Sequence, residues 1–361
     1  MMTNIGPKSE LAERLGARYA VFGFSHDWEV VAAVSAAGGV GVLGTNRYDP
    51  DELAEDLKKI EQSINGAPYG VNLLMPKAAT AEDLSAIPQE HTEFFADVCE
   101  ELGLPAGDEW VSDRTFGGDV MTREHALELW DVCANASPRL VSFGLGAPPE
   151  SVRHQTRDMG AIMVALAGSR RHAERLKDDG FDCIVAQGYE AAGHTGSVST
   201  FVLVPELVQS MAPIPVLAAG GVSHGSQIAA AQALGAQGVW IGTALLPTEE
   251  SSLPETLKER LLEAGTHETY RTRALSGKPS RQLKNDILDA WQREDAPDPL
   301  PSPLQGRLMA NAVVSGLKSE NSRLMISPAG QGVGLLHKRE TVGALIDRLV
   351  AEYGEAVTSF V

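Results

Sequence analysis

Between residues 140 and 246 the chain repeats one pattern: a short, nearly continuous apolar run, a small-residue turn, then an amphipathic stretch. The runs at 141–143, 161–166, 183–186, 215–218 and 239–241 end in Gly144, Ala167-Gly168, Gln187-Gly188, Ala219-Gly220-Gly221 and Gly242-Thr243. Strands buried on both faces read this way, without the alternation of a strand that has one wet face. The stretches between them read as helices. Ser169 is placed to cap one that turns Ala173 and Leu176 inward and ends at Gly180. Ser223 is placed to cap another that buries Ile228, Ala231 and Leu234 and ends at Gly235. Strand, helix and strand at this spacing predict right-handed parallel crossovers.

The N-terminal part adds runs at 19–22, 40–43 and 69–74, separated by helical patterns near 28–37 and 51–64. Three and five make the eight strands that close a parallel β/α barrel, the TIM barrel. An open doubly wound sheet would put its phosphate-binding glycine turn after the first strand. Here such turns come last, which favours the barrel. Two regions break the repeat. Residues 76–138 are a long excursion between the third and fourth strands, with helical patterns near 90–102 and 123–135. After Pro247 no strand pattern follows: 255–291 reads as helix, 295–303 is proline-rich, and 308–317 and 336–353 are again helical. The expected organisation is a barrel over 1–248 with an insertion at 76–138, a smaller helical cap over 249–332, and a C-terminal helix in 333–361 that returns to the barrel.

A chain of 361 residues exceeds the roughly 250 of a plain barrel, which leaves room for those additions. Apolar and charged fractions of 43% and 22% are those of an ordinary globular protein. No apolar run is long enough for a bilayer, and the first residues lack the basic-then-apolar pattern of a signal peptide. A cytoplasmic location is expected, with no membrane partner. The formal charge of -18 argues against nucleic acid, and leaves a small anionic ligand open because a pocket sets its own field. Oligomeric state is left open, a homo-oligomer included. The cysteines Cys99, Cys133 and Cys183 are widely spaced, form no metal or redox pair, and are expected to be small buried apolar residues.

In a β/α barrel the loops after the strands converge on one mouth, where function sits. Gly220 and Gly221 follow the seventh strand; Gly242 and Thr243 follow the eighth. Glycines let the backbone approach closely, and free N–H groups at a helix start favour phosphate. Either pair alone would merely turn the chain; both in consecutive loops favour a phosphate site. The loop after the sixth strand, 187–196, is rich in small residues and holds one histidine. Gln187 can donate to and accept from a flat heteroaromatic ring. His194 can serve as a general base or an electrophilic contact near neutral pH, against the reading of an exposed structural histidine. Glu190 reads as a local cap. Asn72, at the end of the third strand, faces either the mouth or neighbouring backbone. In the strand-one loop Asp27 reads as a helix cap and His26 as a pocket candidate; His224 lies between phosphate and solvent.

Gln-Gly-Tyr-Glu-Ala-Ala-Gly-His-Thr-Gly (187–196), Leu-Ala-Ala-Gly-Gly-Val (217–222) and Gly-Val-Trp-Ile-Gly-Thr (238–243), in that order, resemble the nitronate monooxygenase family, formerly called 2-nitropropane dioxygenases. Ala-Ala-Val-Ser-Ala-Ala-Gly-Gly-Val-Gly (32–41), Val-Asn-Leu (71–73) and Ala-Gly-Gln-Gly-Val-Gly (329–334) are similar to further family segments, so the resemblance covers most of the chain. It implies a barrel with FMN, its phosphate at Gly220, Gly221, Gly242 and Thr243. The flavin ring would lie near Gln187, Gly193, Asn72 and the strand-one loop at Phe22 and Gly23, with His194 as the active-site histidine. The implied reaction is oxidation of an alkyl nitronate by FMN and O2 to an aldehyde or ketone plus nitrite. The chain departs from the family after strand one, where a Gln-Ala-Pro-Met type segment is common and Val-Phe-Gly-Phe-Ser-His (21–26) stands instead.

The alternative enzyme class is an NAD(P)H-dependent FMN reductase of the enoyl-acyl-carrier-protein reductase or quinone reductase type. No Gly-x-Gly-x-x-Gly fingerprint follows a strand here, although the related reductases manage without one. An IMP-dehydrogenase-like barrel needs a nucleophilic cysteine after strand six, and 187–200 contains none. A third reading, from another class, is a barrel that binds flavin or a phosphate-sugar ligand without redox chemistry.

Overall fold

The computed structural model describes residues 5–76, 86–104 and 122–359. Six parallel strands run in chain order around a barrel: β1 (Val21–Ser25), β2 (Val40–Gly44), β3 (Tyr69–Leu74), β4 (Leu140–Gly144), β5 (Ile162–Ala167) and β6 (Cys183–Gln187). A two-residue strand, β7 (Gly193–His194), then leaves for a separate sheet, and β8 (Val216–Ala219) and β9 (Val239–Ile241) complete the ring. It closes through Val21 opposite Val239 and Phe22 opposite Trp240. All eight expected barrel strands are present.

Alternate residues of each strand face opposite sides, so a strand in a closed barrel buries both. Phe22, Val42, Leu140, Val164, Val185 and Leu217 fill the interior. Val21, Leu43, Val71, Val141 and Ile184 face the surrounding helices. Leu11 and Leu15 of α1 (Glu10–Leu15) join the interior cluster, so this helix plugs the amino end and leaves the carboxyl end for a site. The crossovers are α2 (Trp28–Ala36), α3 (Pro50–Ser63), α5 (Arg123–Ala136), α6 (Glu150–Asp158), α7 (Arg170–Asp178), α8 (Thr200–Met211) and α9 (Gly225–Ala233). Strand and helix pack tightly at Gly41, where a Cβ would stand 2.1 Å from the Val31 carbonyl oxygen of α2.

The expected excursion at 76–138 serves two structures. Its α5 is the barrel's own crossover between β3 and β4, while its α4 (Gln89–Glu101) leaves the barrel. Phe95 and Cys99 of α4 pack with Ile287 of α11 (Asp286–Ala290), Trp291, and Met309 and Val313 of α12 (Leu304–Lys318) in a separate apolar cluster.

The segment 255–291, expected to be helical, holds α10 (Glu255–Glu263), then a hairpin of β10 (Thr269–Thr272) and β11 (Ser280–Leu283). β11 also pairs with β7, placing Ser280 opposite His194 and Arg281 opposite Gly193. The last helix, α13 (Val342–Thr358), packs on α9 and α2 through Leu345, Ile346 and Leu349. Among the described residues no helix is long and apolar enough to cross a membrane. The three cysteines are buried and free, and burial pushes their thiol pKa values up.

Helix starts follow the sequence with one displacement. Ser169 Oγ accepts from the His172 N–H at 3.3 Å and caps α7. Ser169→Ala is expected to lower stability by about 1 kcal/mol, read as a lower urea midpoint at unchanged slope. The cap of α9 is His224 rather than Ser223. Gln227 Oε1 accepts from the N–H groups of Ser223 (2.8 Å) and His224 (3.0 Å), and His224 Nδ1 accepts from Ser226 N–H at 3.1 Å. That closure moves the helix start one residue along.

Candidate active site

Strand β1 runs on to Ser25, beyond its expected end at Phe22. Phe22 therefore sits below the mouth, fully buried in the barrel interior. Gly23 turns its missing side chain toward α2, where a Cβ would stand 2.8 Å from Val34 Cγ2. Neither presents a side chain to the mouth. Phe24 and His26 take that place: Phe24 stacks on Trp240 at 6.4 Å and meets the His26 ring edge-on at 5.2 Å.

His26 Nδ1 lies 2.9 Å from the Gly44 carbonyl oxygen. Burial, helped by the Arg47 charge, holds its pKa down at about 3. The ring is neutral at pH 7, so Nδ1–H donates to that carbonyl and Nε2 is left as an acceptor. Asp27 stands at the N-cap of α2 without capping it. Its carboxylate accepts instead from Ser252, from N–H at 3.1 Å and from the hydroxyl.

Asn72 is buried on the interior face, and its Nδ2 donates to Ser142 Oγ at 3.0 Å across the β3–β4 register. The partner of that amide N–H is thus a side chain of the next strand rather than backbone. Gln187, at the end of β6, reaches back to the Ala192 carbonyl at 3.5 Å and so ties down the loop it starts.

The loops after β6, β8 and β9 press on one another. Gly220 (φ 109°) and Gly221 (φ 78°) both lie in the left-handed region, which side chains avoid. A Cβ on Gly220 would stand 2.9 Å from Thr200 Oγ1 and 3.0 Å from Ala191 N. The N–H groups of Gly221 and Val222 have no acceptor among the described residues. Gly242 opens toward free space, the nearest atom to a Cβ being the Phe24 carbonyl oxygen at 3.9 Å. Thr243 begins a short 3-10 turn, and its Oγ1 accepts from Gly330 N–H at 2.9 Å. Gln331 N–H in turn donates to the Glu190 carbonyl at 2.9 Å, so the 329–334 segment links the loops after β6 and β9.

Glu190 caps locally, its Oε2 accepting from Thr200 N–H (2.9 Å) and Oγ1 (2.8 Å) at the start of α8. Gly193 (φ 68°) has open space beside it. His194 has an exposed edge, and its Nε2 lies 2.8 Å from Ser276 Oγ in the hairpin. Loss of surrounding water, then the Lys278 charge, holds its pKa below the ordinary imidazole value. A ring neutral at pH 7 can accept a proton. His224 is exposed and occupied with capping.

The geometry thus gathers Asn72, Gln187, Gly193, His194, Gly220, Gly221, Gly242 and Thr243 on the strand ends and loops of one barrel mouth, and leaves Phe22 and Gly23 beneath it. The nitronate monooxygenase family model matches residues 20–352. This chain belongs to that family.

A relative from Mycobacterium tuberculosis, a monooxygenase by name, is 39% identical over 97% of both chains. Nitronate monooxygenase of Paraburkholderia phytofirmans is 31% identical, covering 76% of this chain and 75% of its own. The crystal structure of nitroalkane oxidase from Streptomyces ansochromogenes matches with a TM-score of 0.83 at 26% identity, over 98% of this chain and 100% of that one. As a family member the chain is an oxidoreductase, and flavin use is typical of the family. The nicotinamide-dependent reductase alternative is not favoured.

In this nitronate monooxygenase family member the sequence reading did not name Phe24, Ser276 or Lys278, which the structure sets near His26 and His194. Phe24 was within reach, since extending the period of two from Phe22 leads to it. Ser276 and Lys278 lie in a hairpin whose signal was the turn sequence Ser-Gly-Lys-Pro (276–279).

Proposed function

We propose that the chain oxidises alkyl nitronates with O2 and bound FMN to an aldehyde or ketone plus nitrite. The observation that carries this reading is the contact between the Gly220-Gly221 turn and the loop that bears His194. The residues suit FMN. Free N–H groups at Gly221 and Val222, with the clear approach at Gly242 and the start of the 3-10 turn at Thr243, form a nest for its phosphate. Asn72, Gln187 and Gly193 would surround its ring. When bound, the flavin supplies an electron acceptor that draws on the electron-rich nitronate and passes electrons to oxygen.

The chain's own residues do the rest. A nitronate has already lost its carbon-bound proton, so neutral His194 serves to orient it. With a neutral nitroalkane, His194 takes that proton as general base. Two nitronates and one O2 balance two carbonyl products and two nitrites. The buried free thiols support a cytoplasmic location.

The test mixes flavin-loaded protein, without oxygen, separately with an alkyl nitronate and with NADPH or NADH while flavin absorbance is followed. Rapid bleaching by the nitronate and none by the nicotinamides is expected. Bleaching by a nicotinamide alone would make the enzyme a reductase.

A further inference from the structure

We infer that Lys278 is a specificity-determining residue that selects the anionic nitronate over its neutral nitroalkane at the His194 site. The inference rests on the substrate reading above and extends it to a residue of the hairpin.

Lys278 stands midway between two residues that hold His194. Ser276 Oγ lies 2.8 Å from His194 Nε2, and Ser280 pairs with His194 in the small sheet. The turn between them has a fixed position. Gly277 (φ 79°) is pressed against the 300–302 segment, where a Cβ would stand 2.4 Å from both the Leu300 carbonyl oxygen and Ser302 N. The turn is thus pinned between His194 and that segment, while Lys278 itself is exposed. Its charge already acts on His194, where it opposes protonation.

Two further cations on the hairpin point the same way. Arg281 is 1% exposed; its Nε donates to the Tyr189 carbonyl at 3.1 Å and its Nη1 to the Thr269 carbonyl at 3.2 Å. Arg271 Nη2 donates to the Thr195 carbonyl at 3.2 Å. Both guanidiniums lie over the Tyr189 ring, at 4.5 Å and 5.2 Å. Together they tie both ends of the loop that carries His194.

Among the described residues none of Arg271, Lys278 and Arg281 has a carboxylate partner. For the buried Arg281 and half-buried Arg271, removing charge from water without a counter-charge is costly, and this chain has 48 carboxylate side chains against 30 lysines and arginines. Three unpaired cations at one loop of so acidic a protein make a local positive field. A substrate anion completes it. A nitronate bears a full negative charge shared over its two oxygens, whereas a nitroalkane bears none, so a rim cation discriminates between them.

The experiment uses the full-length, flavin-loaded enzyme and its Lys278→Met and Lys278→Arg variants. The ratio of kcat/KM for preformed alkyl nitronate to that for the parent nitroalkane is expected to fall about tenfold in Lys278→Met, chiefly through the nitronate KM. Lys278→Arg should recover most of the ratio. Added salt should weaken nitronate kcat/KM in the wild type and do so less in Lys278→Met. An unchanged ratio would overturn the inference, whether both activities hold or both fall together. A second readout is independent of the reaction: nitrite binding, followed through flavin absorbance, should weaken about tenfold in Lys278→Met. If wild-type flavin is not reduced by nitronate, the substrate reading fails, while nitrite binding still decides whether Lys278 recognises anions.

Discussion

His194→Asn is expected to lower turnover of a neutral nitroalkane by about a hundredfold to ten-thousandfold, the range of general-base catalysis, while flavin content stays unchanged. The imidazole sits on β7, held by Ser276 and by the strand pairing of its own backbone with Ser280. Asparagine can keep that backbone pairing and hydrogen-bond to Ser276, but has no basic nitrogen. Cofactor content should survive because the glycine turns proposed for phosphate lie on other loops. Preformed nitronate needs no deprotonation, so its oxidation should fall much less than that of the nitroalkane. The pH dependence follows from the lowered pKa of His194. The neutral ring is the active form, so wild-type kcat/KM for the nitroalkane, measured where the substrate itself stays neutral, should reach its plateau at a lower pH than an ordinary imidazole base would give. It should fall only as acid protonates the ring, and the variant should lose that dependence. Oxygen consumption gives the rates and absorbance gives the flavin stoichiometry. Undiminished nitroalkane turnover would remove His194 from proton transfer.

The barrel was legible because each of its strands is buried on both faces, and a doubly buried strand writes itself as a continuous apolar run. The phosphate turn was legible for a related reason. Gly220 and Gly221 need backbone conformations that other residues avoid, so the constraint appears directly in residue type. The end of β1 was not legible, because Gly23 inside Val-Phe-Gly-Phe-Ser looks like a turn. It is in fact a close contact with Val34 on α2, and a glycine forced by packing cannot be told from one forced by φ without the partner in view. The misplaced strand end drew the expected ring contacts to Phe22 and Gly23, short of Phe24, whose ring meets His26 edge-on. The hairpin of β10 and β11 escaped for the opposite reason. Thr-Tyr-Arg-Thr and Ser-Arg-Gln-Leu have little apolar alternation, and Arg271 and Arg281 tie them to a loop 76 and 92 residues earlier. Long-range hydrogen bonds of that kind leave no local periodicity.

Gly220→Val is expected to purify with most of its flavin lost. At φ 109° a β-branched residue is strained by about 1–3 kcal/mol. Its Cβ would also meet Thr200 Oγ1 at 2.9 Å. Thr200 is not free to withdraw, since that hydroxyl is 2.8 Å from Glu190 Oε2 and 3.2 Å from the Gly220 carbonyl oxygen. The strain must then be relieved by moving the loop after β8, which carries the N–H groups of Gly221 and Val222 off the phosphate position. Since about 1.4 kcal/mol is a factor of ten, flavin affinity should fall roughly tenfold to a hundredfold. Flavin stoichiometry after purification and fluorescence titration of the apoprotein measure it, with a urea midpoint to report on the barrel. Gly66→Val supplies the control. Gly66 also has a positive φ, 82°, but nothing lies within 4 Å of its Cβ position, after α3 and before β3. It should lose some stability and keep its flavin. Equal flavin loss in both variants would trace the effect to general destabilisation. Full flavin retention in Gly220→Val would take the phosphate off this turn, and attention would shift to the cavity of about 280 Å³ lined by His224, Lys338 and Arg348.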